Sequence, residues 1–267
     1  MKQFKDRITL VKNSRGCFIL DTIKGCSVCA KDKPRGCYDD CYAKNITARY
    51  GLDFTRPVKR DFYRDTAQAR LFDFDDARHT GEIIEAIRNI PMPFVRIGEM
   101  GDPSEDWEHT LNICKIIALA EKPIVIITKH WKAIPRDLYK EIAKLDICVN
   151  TSISALDSDS EIIHRLIEYE NMKHCCNSVL RIVSCDFNLD NPEGKRRSEI
   201  QERLFGKTPT IDTVFRPSKD NPLIVNKIIH AKVVTFLKSK VLASVHDSQA
   251  YLGDCAHCLD QCGIIYN

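Results

Sequence analysis

The sequence predicts an α/β chain: a partial (β/α)6 TIM-like barrel over residues 1–240, followed by a short cysteine-containing extension over residues 241–267. Two observations lead there. Short β-branched runs alternate with amphipathic stretches six times, the pattern of repeated β-α units around a parallel sheet. No glycine-rich phosphate turn follows the first run, which counts against an open doubly wound sheet and favours a barrel or part of one.

The six predicted strands are "CFILDTI" near residue 20, "PFVRIGE" near 96, "PIVIIT" near 126, "DICVNTSIS" near 150, "SVLRIVSC" near 182 and "TIDTVF" near 213. Helices lie between them. "SEDWEHTLNICKIIALA" is expected to open at Pro103 and Ser104, and in "DSDSEIIHRLIEYE" Ser158 and Glu161 have capping-box spacing. No internal repeat or low-complexity segment interrupts the series. The boundary near residue 241 is set by the change to "HDSQAYLGDCAHCLDQCGIIYN", which carries its own cysteines.

Composition narrows the class. With 267 residues and 43% hydrophobic content the chain can bury a full core. Forty basic and 37 acidic side chains leave a formal charge of +3, too little for strong overall attraction to nucleic acid. Lys195, Arg196 and Arg197 form the densest basic run, which is the pattern of a solvated helix start. The opening "MKQFKDRITLVKN" is too charged for a signal-peptide core, and no apolar run reaches the length of a membrane span. The expectation is a cytoplasmic protein with no membrane contact.

In a reducing compartment the 13 cysteines are expected to hold metal rather than form disulfides where they cluster. The first cluster is "GCSVCAKDKPRGCYDDC", with Cys26, Cys29, Cys37 and Cys41 on the loop after the first strand. In a barrel that loop lies on the face where active sites are built. Thiolates suit zinc and iron–sulfur clusters alike, and only Cys26 and Cys29 have the Cys-x2-Cys spacing of a zinc ribbon. The second cluster is "CAHCLDQC", with Cys255, Cys258 and Cys262, and it needs a fourth ligand or an open position. Cys29 is the expected fourth ligand, with Cys17 and Cys185 competing. Cys114, Cys148, Cys175 and Cys176 read as small buried side chains or ordinary thiols.

The loop "GC", a spacer, then "GCYDDCYAKNITARYG" resembles the cluster loop of radical S-adenosylmethionine enzymes, in particular small phage and bacterial members. "VRIGEMGDPS" is similar to the Gly-Glu segment of that superfamily, "IITKHW" to a Thr-Lys segment, and "CAHCLDQC" to a C-terminal cysteine motif. These segments cover most of the chain in the order of a six-unit partial barrel. The resemblance implies a catalytic [4Fe–4S] cluster on Cys26, Cys37 and Cys41, with one iron left open for S-adenosylmethionine. It also implies that Gly98, Glu99, Asn150, Ser152, Ser154 and Arg181 bind that cofactor, and that flavodoxin or ferredoxin supplies the electron. One departure is plain: the commonest loop is Cys-x3-Cys-x2-Cys, and no third cysteine follows Cys41 at that spacing, so Cys29 is extra. The tail cysteines imply either an auxiliary iron–sulfur cluster or a zinc clip.

For the substrate, Asp102, Lys129 and His130 stand at strand ends, and Tyr38, Tyr42 and Trp131 could stack on a base or cover the cluster. The expected reaction is hydrogen abstraction from a nucleobase, modified or unmodified, in DNA or RNA, in an isomerase, lyase or transferase. The alternatives are a free nucleotide, peptide or amino-acid-derived substrate, or a zinc or iron–sulfur module that binds nucleic acid without catalysis. Hydrolase motifs are absent: there is no Gly-x-Ser-x-Gly elbow, His-Glu-x-x-His helix or Walker loop.

Overall fold

The computed structural model describes residues 7–29, 37, 40–62, 73–215, 220–225, 242–245, 248–251, 254–258 and 260–266. The boundary expected at residue 241, and Tyr38, lie outside the described residues.

A seven-stranded, mostly parallel sheet carries the fold. Its strands are β1 (Val11–Lys12), β2 (Phe18–Ile19), β5 (Val95–Ile97), β6 (Ile124–Thr128), β7 (Ile147–Ile153), β8 (Asn177–Ser184) and β9 (Thr210–Val214), in that spatial order. All six predicted strands are present, and each lies beside its neighbour in sequence. The order never reverses, as it would in a doubly wound sheet. Every residue of β7 and all but one of β6 is buried, so both faces of these strands are covered, which explains their unbroken apolar and small-residue runs.

Each crossover contains a helix. Helices α1 (Tyr42–Arg49) and α2 (Asp73–Arg88) lie between β2 and β5, α3 (Trp107–Ile117) before β6, α4 (Leu138–Ile142) before β7, α5 (Asp159–Met172) before β8 and α6 (Pro192–Phe205) before β9. The capping box at Ser158 and Glu161 forms as expected and starts α5. Helix α3 begins later than expected. Pro103–Glu105 makes a single 3-10 turn, and Asp106 then accepts the His109 N–H and caps the α-helix.

The first predicted strand is divided. After β2 the chain leaves the sheet, and β3 (Ile23–Lys24) pairs instead with β4 (Val58–Lys59) in a separate antiparallel ribbon. Asp21 marks the point of departure: its carboxylate accepts the N–H groups of Glu99 (2.8 Å) and Met100 (3.3 Å). Gly25 then bridges to Gly101. The antiparallel edge strand β1 was not expected; it is two residues long and pairs through a tight turn around Asn13.

In the tail, β10 (Leu242–Val245) and β11 (Ser248–Tyr251) form a hairpin with β11 alongside β9, and 3-10 turns at Cys255–His257 and Gln261–Tyr266 follow. The second of these packs on β7, β8 and β9. Among the described residues no helix is long and apolar enough to cross a membrane.

A Cβ at Gly101 would lie 2.4 Å from the Ile23 carbonyl oxygen and 2.9 Å from that of Gly25. Gly101→Ala is therefore expected to cost about 2–4 kcal/mol in denaturant unfolding. Gly81→Ala, in open space on α2, should instead stabilise by about 0.5–1 kcal/mol in the same measurement.

Candidate metal and cofactor sites

Two groups of cysteines form, at opposite ends of the parallel strands. The first lies at the carboxyl end. Cys26 follows β3, and its N–H bonds the Phe54 carbonyl at 2.8 Å. Cys29 closes the next 3-10 turn, and Lys44 on α1 holds its carbonyl at 2.9 Å. Cys41 is the N-cap residue of α1. Phe54, Met100 and Trp131 pack around these cysteines. Across the loop, Glu105 accepts both the N–H and the hydroxyl of Ser27 at 2.8 Å and is paired with Lys132.

The four cysteines gather in one cluster. The neighbouring Cys26 and Cys41 thiols, then burial, push the Cys29 thiol up, and Cys41 and burial push Cys37 up against the pull of Lys129. Cys41 moves the other way, to about 3: the adjacent Cys29 and Cys37 thiols lower it, burial opposes, and the backbone N–H groups of Lys44 and Ala43 at the start of α1 add to the lowering. As they stand, no three His, Cys, Asp or Glu side chains among the described residues have the spacing to ligate a single metal ion. Cys29, expected to reach the tail cysteines, is instead held in this first group.

Beside it stands a compact charged cluster. Lys129 is 3.6 Å from Asp157, which also pairs with Arg165, and the Arg165 guanidinium lies 4.7 Å over the Trp131 ring. Trp131 thus covers the thiols and is itself capped by a cation. The other predicted substrate residues are occupied. Asp102 accepts hydrogen bonds from the Ser104 N–H (2.9 Å) and hydroxyl (2.7 Å), the Thr128 hydroxyl (2.6 Å) and the Lys129 N–H (2.7 Å), so it braces the ends of β5 and β6. His130 is fully enclosed, with Nε2 3.0 Å from the Thr151 hydroxyl and Nδ1 4.0 Å from Glu168.

The residues expected to bind a cofactor fall in two places. Gly98 has φ +96°, and a Cβ there would lie 2.2 Å from the Ile127 carbonyl, so only glycine allows this turn at the end of β5. Glu99 follows it, pairs with Arg96 at 3.2 Å and accepts the Asn13 amide at 3.3 Å. The Tyr42 hydroxyl donates to the Glu99 carbonyl at 2.7 Å and docks α1 against β5. Asn150 faces the tail: its amide donates to the Cys262 carbonyl at 2.8 Å, while its oxygen accepts from Arg181 at 2.8 and 3.0 Å. Ser152 is in register with Arg181, and the Ser154 N–H donates to Asp157 at 2.7 Å.

The second cysteine group lies at the amino end. Asn13 accepts the N–H groups of Arg15 and Cys17, each at 3.0 Å, and shapes the turn before β2. That turn presents the Arg15 carbonyl, which accepts the Cys255 N–H at 2.7 Å. The Cys17 and Cys255 side chains are neighbours. The Cys255 thiol and burial push Cys17 up; Cys17, with the charges of Arg15, Arg96 and Arg181, lowers Cys255 to about 6 against burial. Cys258 and Cys262 line the same cavity as Cys255, Arg15, Arg96 and Arg181. His257 turns away to Asp254 at 2.6 Å. Elsewhere Cys114 and Cys148 are buried in the main apolar cluster, as expected of structural thiols, and Cys185, a competing candidate for the tail's fourth ligand, is instead buried in the second apolar cluster.

Compared with protein-family models, curated proteins and solved structures, the chain matches none.

His130 gives a pH prediction. Burial, then His164 and Arg165, lowers its pKa from 6.5 to about 3. Between those values the unfolded chain binds the proton and the folded chain does not, so stability is fully present above pH 6.5 and falls as the pH drops. Acidification from pH 7 to pH 5 should cost about 2 kcal/mol through this group. Denaturant titrations at both pH values should show that loss in the wild type and a smaller one in His130→Gln, and the His130 imidazole resonances should stay neutral down to about pH 4.

Proposed function

We propose that this chain is a radical S-adenosylmethionine enzyme on a six-unit partial β/α barrel. The observation that carries the reading is the convergence of Cys26, Cys29, Cys37 and Cys41 at the carboxyl end of a parallel sheet whose strand order never reverses. Active sites of barrels are built on that end. The donor set fits an iron–sulfur cluster, because it is made of soft thiolates alone.

On this reading Cys26, Cys37 and Cys41 hold a [4Fe–4S] cluster. Such a cluster, with an electron from a flavodoxin or ferredoxin, would supply one-electron reductive chemistry to S-adenosylmethionine bound beside it. The chain's own residues then have defined tasks. The opening of α1 supplies N–H groups that hold Cys41 as thiolate. Glu99, at the end of β5, offers a carboxylate to the methionine ammonium, and the turn at Gly98 sets its height. Trp131 excludes water from one side of the thiols, and Lys129, beside Cys37, favours an anionic group in the mouth. Ser152 and Ser154 remain the candidates for ribose, while Asn150 and Arg181 serve the tail.

A nucleobase in DNA or RNA is the substrate class that the surface favours. Helix α1, which begins at the cluster loop, exposes Tyr42, Ile46 and Tyr50, two flat rings on which bases can stack. A free nucleotide, peptide or amino-acid-derived substrate would not need this outward face.

The position of Cys29 favours a second reading. Four thiolates on one ion make a saturated structural zinc site, and the chain would then be a binding module without catalysis. Anaerobic reconstitution followed by electron paramagnetic resonance and assay of 5′-deoxyadenosine separates the two. The enzyme is expected to form 5′-deoxyadenosine under reducing conditions, to lose at least 100-fold on Cys37→Ala or Cys41→Ala, and to keep most of its rate on Cys29→Ala. A colourless protein with about one zinc held by all four cysteines, and no product after reconstitution, would overturn the reading.

A further inference from the structure

We propose that Cys17, Cys255, Cys258 and Cys262 form a second metal centre, a closed tetrathiolate site for zinc(II) or an iron–sulfur cluster that fastens the tail to the amino end of the sheet. The inference is independent of the radical reading, since it concerns different sulfurs at the other end of the strands.

Position selects Cys17 as the fourth ligand. Cys17 immediately precedes β2, two residues after the Arg15 carbonyl that accepts the Cys255 N–H at 2.7 Å, and it is buried in one cluster with Cys255. The main chain is fixed there from both sides, by the Asn13 turn and by the bond from the Cys255 N–H to the Arg15 carbonyl. Cys262 is held by Asn150 on β7, and the next residue, Gly263, by the Asn177 amide on β8 at 2.8 Å. Cys29 stands with Cys26 and Cys41 past β3, and the cysteines that act on it are those two and none from the tail.

Charge points the same way. Arg15, Arg96 and Arg181 line the cavity with Cys255, Cys258 and Cys262. Asp212 and Asp260 line it as well, and Arg96 is paired with Glu99, so the cations are partly balanced already. Four thiolates on zinc(II) leave a net charge of about −2, which these cations help to offset. With four protein ligands no coordination position stays open, so the site braces the structure rather than binding substrate. The thiols must be drawn inward to close it, and ordering of the tail is then linked to metal binding.

Metal and acid-labile sulfide would be quantified in anaerobically purified wild type, Cys17→Ala and Cys29→Ala, and again with Cys26, Cys29, Cys37 and Cys41 all replaced by Ala. Cys17→Ala should lose one centre, either about one zinc or about four iron with four sulfide, while Cys29→Ala keeps it. The fourfold variant should retain that centre, and adding Cys17→Ala should remove it. Mapping of alkylated cysteines by mass spectrometry covers the case in which a variant fails to fold. In the wild type Cys17, Cys255, Cys258 and Cys262 should resist iodoacetamide together and become reactive together on chelation. Unchanged metal content in Cys17→Ala, a Cys17–Cys255 disulfide in the anaerobic protein, or alkylation of the four cysteines regardless of chelator would overturn the proposal.

Discussion

The contact between two main-chain segments, the one leaving β3 and the one leaving β5, sets everything at the carboxyl end. Gly25 bridges to Gly101, the Gly25 N–H bonds the Met100 carbonyl at 2.9 Å, and neither position has room for a side chain. Asp21 completes the junction by accepting the Glu99 and Met100 N–H groups. The cysteine loop therefore starts from a backbone fixed against the sheet, and Cys26 begins within one residue of that anchor. Glu99, on the partner segment, is brought to the same height by the same bonds. The cysteine loop and the Glu99 carboxylate thus share one support, so a shift at either glycine would displace both.

Asn13 connects this end to the other. Its oxygen forms the turn that presents Cys17 and the Arg15 carbonyl to the tail, and its amide donates to Glu99. Arg96 adds a second link, since it pairs with Glu99 and also lines the cavity of the tail cysteines. The two cysteine groups are far apart along the strands, yet one amide and one guanidinium touch the surroundings of both. Any rearrangement that draws the tail thiols together acts on Arg96 directly, and through it on the carboxylate at the end of β5.

The parts of this structure that a linear reading could find are those set by local chemistry. The six main strands are legible because burial on both faces demands continuous β-branched runs, and α5 because Ser158 and Glu161 cap it within four residues. The pairs β1–β2 and β3–β4 are not, since two-residue strands carry no periodicity and are fixed by distant partners. The same distinction holds at the sites. Spacing alone groups Cys26, Cys29, Cys37 and Cys41, but the partnership of Cys17 with Cys255 joins residues from opposite ends of the chain. Asp102 and His130 looked available because they end strands; the neighbouring crossovers supply hydrogen-bond partners that the linear order conceals. Glu105 and Arg165 were passed over for the converse reason, being ordinary helix residues until the fold brings them to Ser27 and Trp131.

The location of each cysteine group bears on what it can do. At the amino end the tail lies across β7, β8 and β9, and its thiols share a cavity with the half-buried Arg15, Arg96 and Arg181. At the carboxyl end one side is sealed by Trp131 and Phe54, while α1 presents exposed rings beside the loop. Among the described residues, cysteine thiols, a lysine and an exposed aromatic surface occur together there. A metal bound at the amino end has its work done once the tail is in place; one bound at the carboxyl end stands where a substrate can reach it. Cys29 decides between these two uses at the carboxyl end, because its sulfur is close enough to fill the position that chemistry would need open.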